Sequence, residues 1–274
     1  MTSPLLVKPA APDAQGLIHA ITPASAKWRY VGFSVRLMKA GQTVEIAAGQ
    51  DELCLVLVSG VVTMRVDGKD FGRLGERMSP FDGQPWALYA PQGARVSVRA
   101  ETDLELAVCS APGGGSHQPR VIAPDNARQL QRGTGTNVRH PYNILPEEDP
   151  AHSLLVVEVI TPGGHWSSYP PHKHDRDDFP NETYLEETYY HRMNRPGGFA
   201  LQRIYDDEGT IDETIAASDR DVVLAPKGYH PVGAPHGVDL YYLNTMAGPK
   251  RAWKFHVQQE FRDMAGMASA PAAR

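Results

Sequence analysis

The feature that most constrains this chain is its punctuation. Short β-rich runs follow one another, each closed by glycine or proline, and no long helical periodicity separates them. In the first half they are "VGFSVRLM" (Val31 to Met38), "ELCLVLVSGVVTMRVDG" (Glu52 to Gly68) and "LELAVCSAP" (Leu104 to Pro112). In the second they are "SLLVVEVITP" (from Ser153), "ETYYHRM" (from Glu187), "FALQRIYDD" (from Phe199), "DVVLAP" (from Asp221) and "VDLYYLNTMAG" (from Val238). β-Branched and aromatic residues suit a pleated, half-buried surface, and 25 glycines with 23 prolines supply the turns between runs. The pattern predicts an all-β sandwich or barrel. Short helices are expected only at Asp125 to Gly133 and in the tail after Val257.

The halves resemble each other. "WALYAPQGARV" (from Trp86) answers to "VVLAPKGYHPV" (from Val222), and "LMKAGQTVE" to "VITPGGHWS". Two related β-units are therefore expected. The reading is a first unit at 1–112, a Gly/Pro-rich linker at 113–152, a second unit at 153–257 and a tail at 258–274.

Charge and hydropathy narrow the partners. A net charge of −5 and no basic run argue against nucleic acid or an anionic membrane. No apolar run approaches the ~18 residues that span a bilayer. "MTSPLLVKPAAPDAQG" lacks the apolar core of a signal peptide, so a cytoplasmic protein is expected, with Cys54 and Cys109 as free thiols.

The chemistry gathers in "YPPHKHDRDDFPNETYLEETYYH" (Tyr169 to His191). Residues two apart on a strand share a face. His172 and His174 can thus aim both imidazoles at one point, with Lys173 turned away. Two nitrogens hold a divalent ion poorly; a carboxylate and a third imidazole would complete a site with open positions. The acids on offer are Asp175, Asp177, Asp178, Glu182, Glu186 and Glu187. Glu187 is favoured because it opens a strand, where it shares a face with Tyr189 and His191; Glu182 is the runner-up. For the third imidazole, "APKGYHPVGAPH" offers His230, preferred at the start of a strand-like run, and His236, in a later turn. His19, His117, His140 and His152 read as ordinary surface or core histidines.

His172-x-His174, a strand-borne glutamate, and Pro226-x-Gly228 before His230 resemble the two metal-binding motifs of the cupin superfamily. "SSYPPHKHD", "ETYLEETYYHR", "GFALQRIYDD", "DVVLAPKGYHPVGAPHG" and "DLYYLNTMAGP" are similar to the 5-deoxy-glucuronate isomerase family of inositol catabolism. The resemblance is dense from Ser153 to Pro249 and thinner before it. It implies two tandem cupin units and conversion of 5-deoxy-D-glucuronate to 2-deoxy-5-keto-D-gluconate. It also implies a metal, zinc or manganese, on His172, His174, Glu187 and His230. The first half has no histidine across "AGQTVEIAAGQDELCLVLVSG"; Glu52 is expected where Glu187 stands and Arg95 where His230 stands, so that unit is expected to bind no metal.

Such a reaction needs a proton carrier and a cation for the substrate carboxylate. Glu182, His191 and a tyrosine are candidates for the first. Lys173, Arg192 and Arg203 are candidates for the second, with Lys173 on the wrong face for the role. Exposed edge strands suggest a homo-oligomer. Two other readings fit the same residues: an iron-dependent cupin dioxygenase, and a non-catalytic metal- or sugar-binding cupin.

Overall fold

The computed structural model describes residues 3–126 and 128–265. Four large sheets stack around three apolar layers. The first unit pairs a six-stranded sheet, in the order Arg120–Ile122, Trp86–Ala90, Asp51–Ser59, Leu104–Pro112, Gly32–Met38 and Leu17–Ile21, with a four-stranded one. The second pairs a seven-stranded sheet, whose middle is Val222–Ala225, Glu186–Met193, Leu240–Ala247 and Leu155–Thr161, with four strands that include Phe199–Tyr205 and Asp212–Ser218.

Alternation along each central strand explains the layering. In Asp51–Ser59, Leu53, Leu55 and Leu57 face the interior of the first unit. Cys54, Val56 and Val58 face the opposite way, into a core shared with Tyr190, Val222, Tyr241 and Leu243 of the second unit. Both faces are buried, so the strand reads as a continuous apolar run. Glu186–Met193 behaves alike: Tyr190 joins the shared core, while Tyr189 faces the second interior with Ile204, Ile215 and Tyr242.

The units interlock. Leu6–Val7 pairs with Val222 and Val223 of the second unit, and Arg120–Ile122 pairs with Ala87 to Tyr89 of the first. Each half lends its opening strand to the other's sheet, against the very segments whose sequences match. The span expected as a linker is therefore structural: it contributes Arg120–Ile122 to one sheet and Arg128–Gln129 and His140–Leu145 to the other. The expected helix at 125–133 is a single 3-10 turn, Pro124–Asn126, followed by a strand. After Val257 come two 3-10 turns, Gln259–Phe261 and Asp263–Ala265, in place of a longer helix. The expected tail beyond 265 lies outside the described residues.

The register corrects one equivalence. Leu53 lies opposite Ala90, and Glu187 lies opposite Ala225, just before the matching Pro91-x-Gly93 and Pro226-x-Gly228 turns. Leu53 is therefore the counterpart of Glu187, and Glu52 that of Glu186. The two glutamates do the same work. Glu52 accepts the backbone N–H groups of His152, Ser153 and Leu154 at 2.7–2.8 Å. Glu186 accepts those of Arg29, Tyr30 and Val31 at 2.7–3.0 Å. Each carboxylate pins the chain where it enters the other half. Glu52→Gln keeps one acceptor but loses the charge that strengthens three bonds, so a loss of about 1–2 kcal/mol is expected. Urea unfolding at unchanged slope would measure it; a midpoint equal to wild type would refute the role.

Candidate metal centre and active site

Three separate elements bring the ligand candidates together. His172 and Lys173 form a two-residue strand held by His256–Val257. Glu187 sits on a strand paired on both sides. His230 follows a turn at Gly228, where φ is +83° and an added Cβ would stand 2.3 Å from the Tyr205 carbonyl oxygen, so that only glycine fits. Tyr205 and Tyr229 exchange backbone hydrogen bonds of 3.0 and 2.7 Å, which fixes the segment beyond the turn.

The ligand atoms of His174, Glu187 and His230 all lie within 4.8 Å of one another, and all three residues are buried. His174 Nε2 is 3.0 Å and His230 Nε2 3.4 Å from Glu187 Oε2. The His172 ring lies 5.0 Å from that of His230, on the solvent side of the group. Each histidine turns its other nitrogen to a backbone carbonyl: His172 Nδ1 to Pro170, His174 Nδ1 to Leu185 and His230 Nδ1 to Gly228, at 3.2, 3.0 and 2.8 Å. A carbonyl only accepts, so Nδ1 carries the hydrogen and Nε2 is left for a ligand bond.

Electrostatics agree. Burial, followed by the charge of His174, lowers the pKa of His172 to about 3. Burial likewise lowers that of His230 to about 3, against the pull of Glu187. Both imidazoles are neutral at physiological pH, as metal ligands must be. Burial also opposes charge on His174, but the hydrogen bond and charge of Glu187 outweigh it and raise its pKa. His230 Nε2 is buried without a hydrogen-bond partner. A converging bare Nε2 beside a carboxylate and a second imidazole fits a divalent cation.

A cavity of about 380 Å³ opens over this group and is lined by His172, Glu187, Tyr189 and Tyr242. Ser168 Oγ meets Tyr189 Oη at 2.9 Å, and Ser167 Oγ meets Tyr242 Oη at 2.5 Å. Met264 and Ala265, from the span expected as a tail, close one side.

The other expected residues lie elsewhere. Glu182 accepts the backbone N–H groups of Asp175 and Arg176, closing the charged loop, and does not line the cavity. His191 is buried beyond Tyr189, with Nε2 3.0 Å from Gln202 Oε1. Arg203 pairs with Asp212 at 2.8 and 2.9 Å on an exposed strand. Arg192 pairs with Glu105 of the first unit, and Lys173 is buried against Asp175 at 2.7 Å. His236 lies exposed in a turn outside the cluster. At the counterpart of His230, Arg95 is exposed.

The guanidiniums that do line the cavity are Arg132 and Arg139, within the span expected as a linker. Their sequence signal was "RGTGTNVR", a glycine-rich turn flanked by two arginines.

Comparison with known proteins gives the family. Residues 5–264 match the KduI/IolB family. The chain belongs to that family. Among the relatives of this KduI/IolB protein is a 5-deoxy-glucuronate isomerase of Geobacillus kaustophilus, 49% identical over 93% of this chain and 92% of the relative. An IolB-like protein of Salmonella typhimurium LT2 has a solved structure with a TM-score of 0.93 and 47% identity, covering 96% of this chain and all of that one. Bacillus subtilis oxalate decarboxylase, a protein with Mn(II) centres, is 12% identical with a TM-score of 0.66 over 96% of this chain and 82% of its own. That last likeness shows the fold, two tandem cupin units. Among the described residues no helix is long and apolar enough to cross a membrane.

Proposed function

We propose that this KduI/IolB protein is a metal-dependent aldose–ketose isomerase that converts 5-deoxy-D-glucuronate to 2-deoxy-5-keto-D-gluconate in inositol breakdown. Relatives of that name nearly half identical along almost the whole chain support the reaction. The observation that carries the metal is the set of three carbonyl-tethered histidines around Glu187. His172, His174, Glu187 and His230 would hold the ion. When bound, it supplies Lewis-acid stabilisation for the enediolate formed as a proton leaves the hydroxyl-bearing carbon. The reaction exchanges oxidation level between two neighbouring carbons with no net change, so a metal that undergoes no redox change, zinc or manganese, would serve.

The chain's own hydroxyls provide the proton donors. Burial first, then the charge of Glu187, keeps the Tyr189 phenol well above its usual pKa. It stays protonated and can donate from Oη to an enediolate oxygen. Tyr242 is raised likewise by burial. The walls of Trp253 and Phe255 limit water at the reacting carbons.

The test is chelation and reloading. Purified protein should carry about one divalent ion per chain, lose turnover of 5-deoxy-glucuronate on dialysis against a chelator, and regain it with zinc or manganese. The keto acid should form without oxygen uptake. Activity in metal-free protein would overturn the metal, and oxygen uptake that tracks turnover would replace isomerisation by a dioxygenase reaction.

A further inference from the structure

We propose that Arg132 and Arg139 form the carboxylate-binding pole of the cavity and set its preference for an acid over a neutral sugar. This rests on the isomerase reading for the identity of the substrate, but its geometry is independent of it. The two residues are directly opposite on an antiparallel bridge: Arg132 N–H donates to the Arg139 carbonyl and Arg139 N–H to the Arg132 carbonyl, both at 3.0 Å. A pair of this kind places both side chains on one face of the ribbon, and both line the cavity that His172 and Glu187 line.

Like charges directly opposite each other repel, and a ribbon normally sets an acid between or across from them. Among the described residues, no carboxylate lies within salt-bridge distance of either guanidinium. Arg77, Arg192 and Arg220, by contrast, each meet one. What holds these two is neutral. Arg139 Nη1 donates to the Asn137 carbonyl at 3.1 Å, and Arg132 lies over the Trp253 ring at 5.8 Å. Most of their donors stay free.

The hairpin is built to present them. Gly133, at φ +79°, turns where an added Cβ would sit 2.1 Å from the Asn137 carbonyl oxygen. His165 Nδ1, at 3.1 Å from the Val138 carbonyl, fastens the returning strand to the second unit.

The cavity thus has two unlike ends. One gathers nitrogen and carboxylate ligands suited to an ion that takes a carbonyl and a hydroxyl. The other offers two planar forks that match a carboxylate bidentately. A six-carbon chain with an aldehyde at one end and a carboxylate at the other satisfies both. The cations are therefore not those on the neighbouring strands of the ligand motif but a pair from the crossover between the units.

The experiment compares 5-deoxy-D-glucuronate with the neutral 5-deoxyhexose that bears an alcohol in place of the acid. It uses metal-loaded wild type, R139M, R139K and R132M, with metal content and melting temperature recorded for each. The ratio of kcat/KM for the acid over the neutral sugar should fall about 100-fold in R139M, mostly through KM. R139K should recover part of it, and R132M, whose guanidinium is shared with the Trp253 face, should fall less. Equal losses on both substrates, or an unchanged ratio, would overturn the proposal. Should wild type isomerise neither sugar, calorimetric titration of the acid and the neutral sugar decides: acid-selective binding lost in R139M keeps the pole while the isomerase reading fails, and unselective binding removes both.

Discussion

His174→Ala should give a folded protein that no longer retains its ion and turns over about a thousandfold more slowly. His174 is the imidazole nearer the carboxylate: its Nε2 already lies 3.0 Å from Glu187 Oε2, against 3.4 Å for His230, and its Nδ1 is tied to the Leu185 carbonyl. Its removal leaves Glu187 facing His230 at 3.4 Å, with His172 farther out. The donors that remain, with His172 out on the open side, no longer converge closely enough to retain the ion. Lewis-acid stabilisation of the enediolate is worth several kcal/mol, and each 1.4 kcal/mol is a factor of ten, hence roughly three decades. His172→Ala should lose less, because that ring stands at the cavity wall.

Metal analysis beside kinetics tests the graded order. A second readout needs no substrate. An ion that binds only the folded chain raises its melting temperature as concentration grows. That rise should be present in wild type, reduced in His172→Ala and absent in His174→Ala. A His174→Ala protein with a full complement of metal and wild-type turnover would remove the centre described here.

Much of this centre was legible because strand chemistry has a period of two. Alternation and a Pro-x-Gly turn brought His174, Glu187 and His230 forward as candidates, and these three lie together with His172 at their edge; the long strand around Glu187 behaves as the alternation requires. The same period explains the misplacement in the first half. Matching acid to acid aligned Glu52 with Glu187, but a shift of one residue moves a side chain to the opposite face. Glu52 points to the shared core and to residues 152–154, whereas Leu53 points inward. Only the register against Ala90 settles that, and register is a property of the paired strands.

The carbonyl tethers were not legible either. Leu185 offers His174 a backbone oxygen that any residue would carry. Arg132 and Arg139 were hidden for a different reason. Their segment is rich in glycine and poor in apolar residues, so its composition reads as a connection. It is ordered by pairing with Leu155–Thr161 through His140–Leu145, a contact between distant parts of the sequence. The cations that were legible, Arg192 and Arg203, lie on good strands but find Glu105 and Asp212 there.

Arg77→Met should cost about 3–5 kcal/mol and lower the melting temperature by roughly 10 °C. Arg77 extends from the first unit to Glu158 on the central strand Leu155–Thr161 of the second. Its Nη1 and Nη2 reach the two carboxylate oxygens at 2.7 and 2.8 Å, and Nε donates to the Val58 carbonyl at 3.0 Å. The two side chains are 3% and 0% exposed. Without the arginine, Glu158 stays buried with only the Tyr241 hydroxyl, 3.0 Å away, to hold its charge. The cost is that of a stranded carboxylate more than that of a lost attraction, so the double variant Arg77→Met, Glu158→Leu should recover most of it. Alternation also separates this effect from catalysis. Glu158 faces the shared core, while Val157 and Val159 on the same strand face the cavity. The double variant should therefore keep the KM for 5-deoxy-glucuronate near its wild-type value. Thermal unfolding of the two variants beside wild type makes the measurement. A single variant as stable as wild type would show that the two units are held by their apolar core alone, and a double variant as unstable as the single would show that the ion pair itself, with its fixed geometry, supplies the stabilisation.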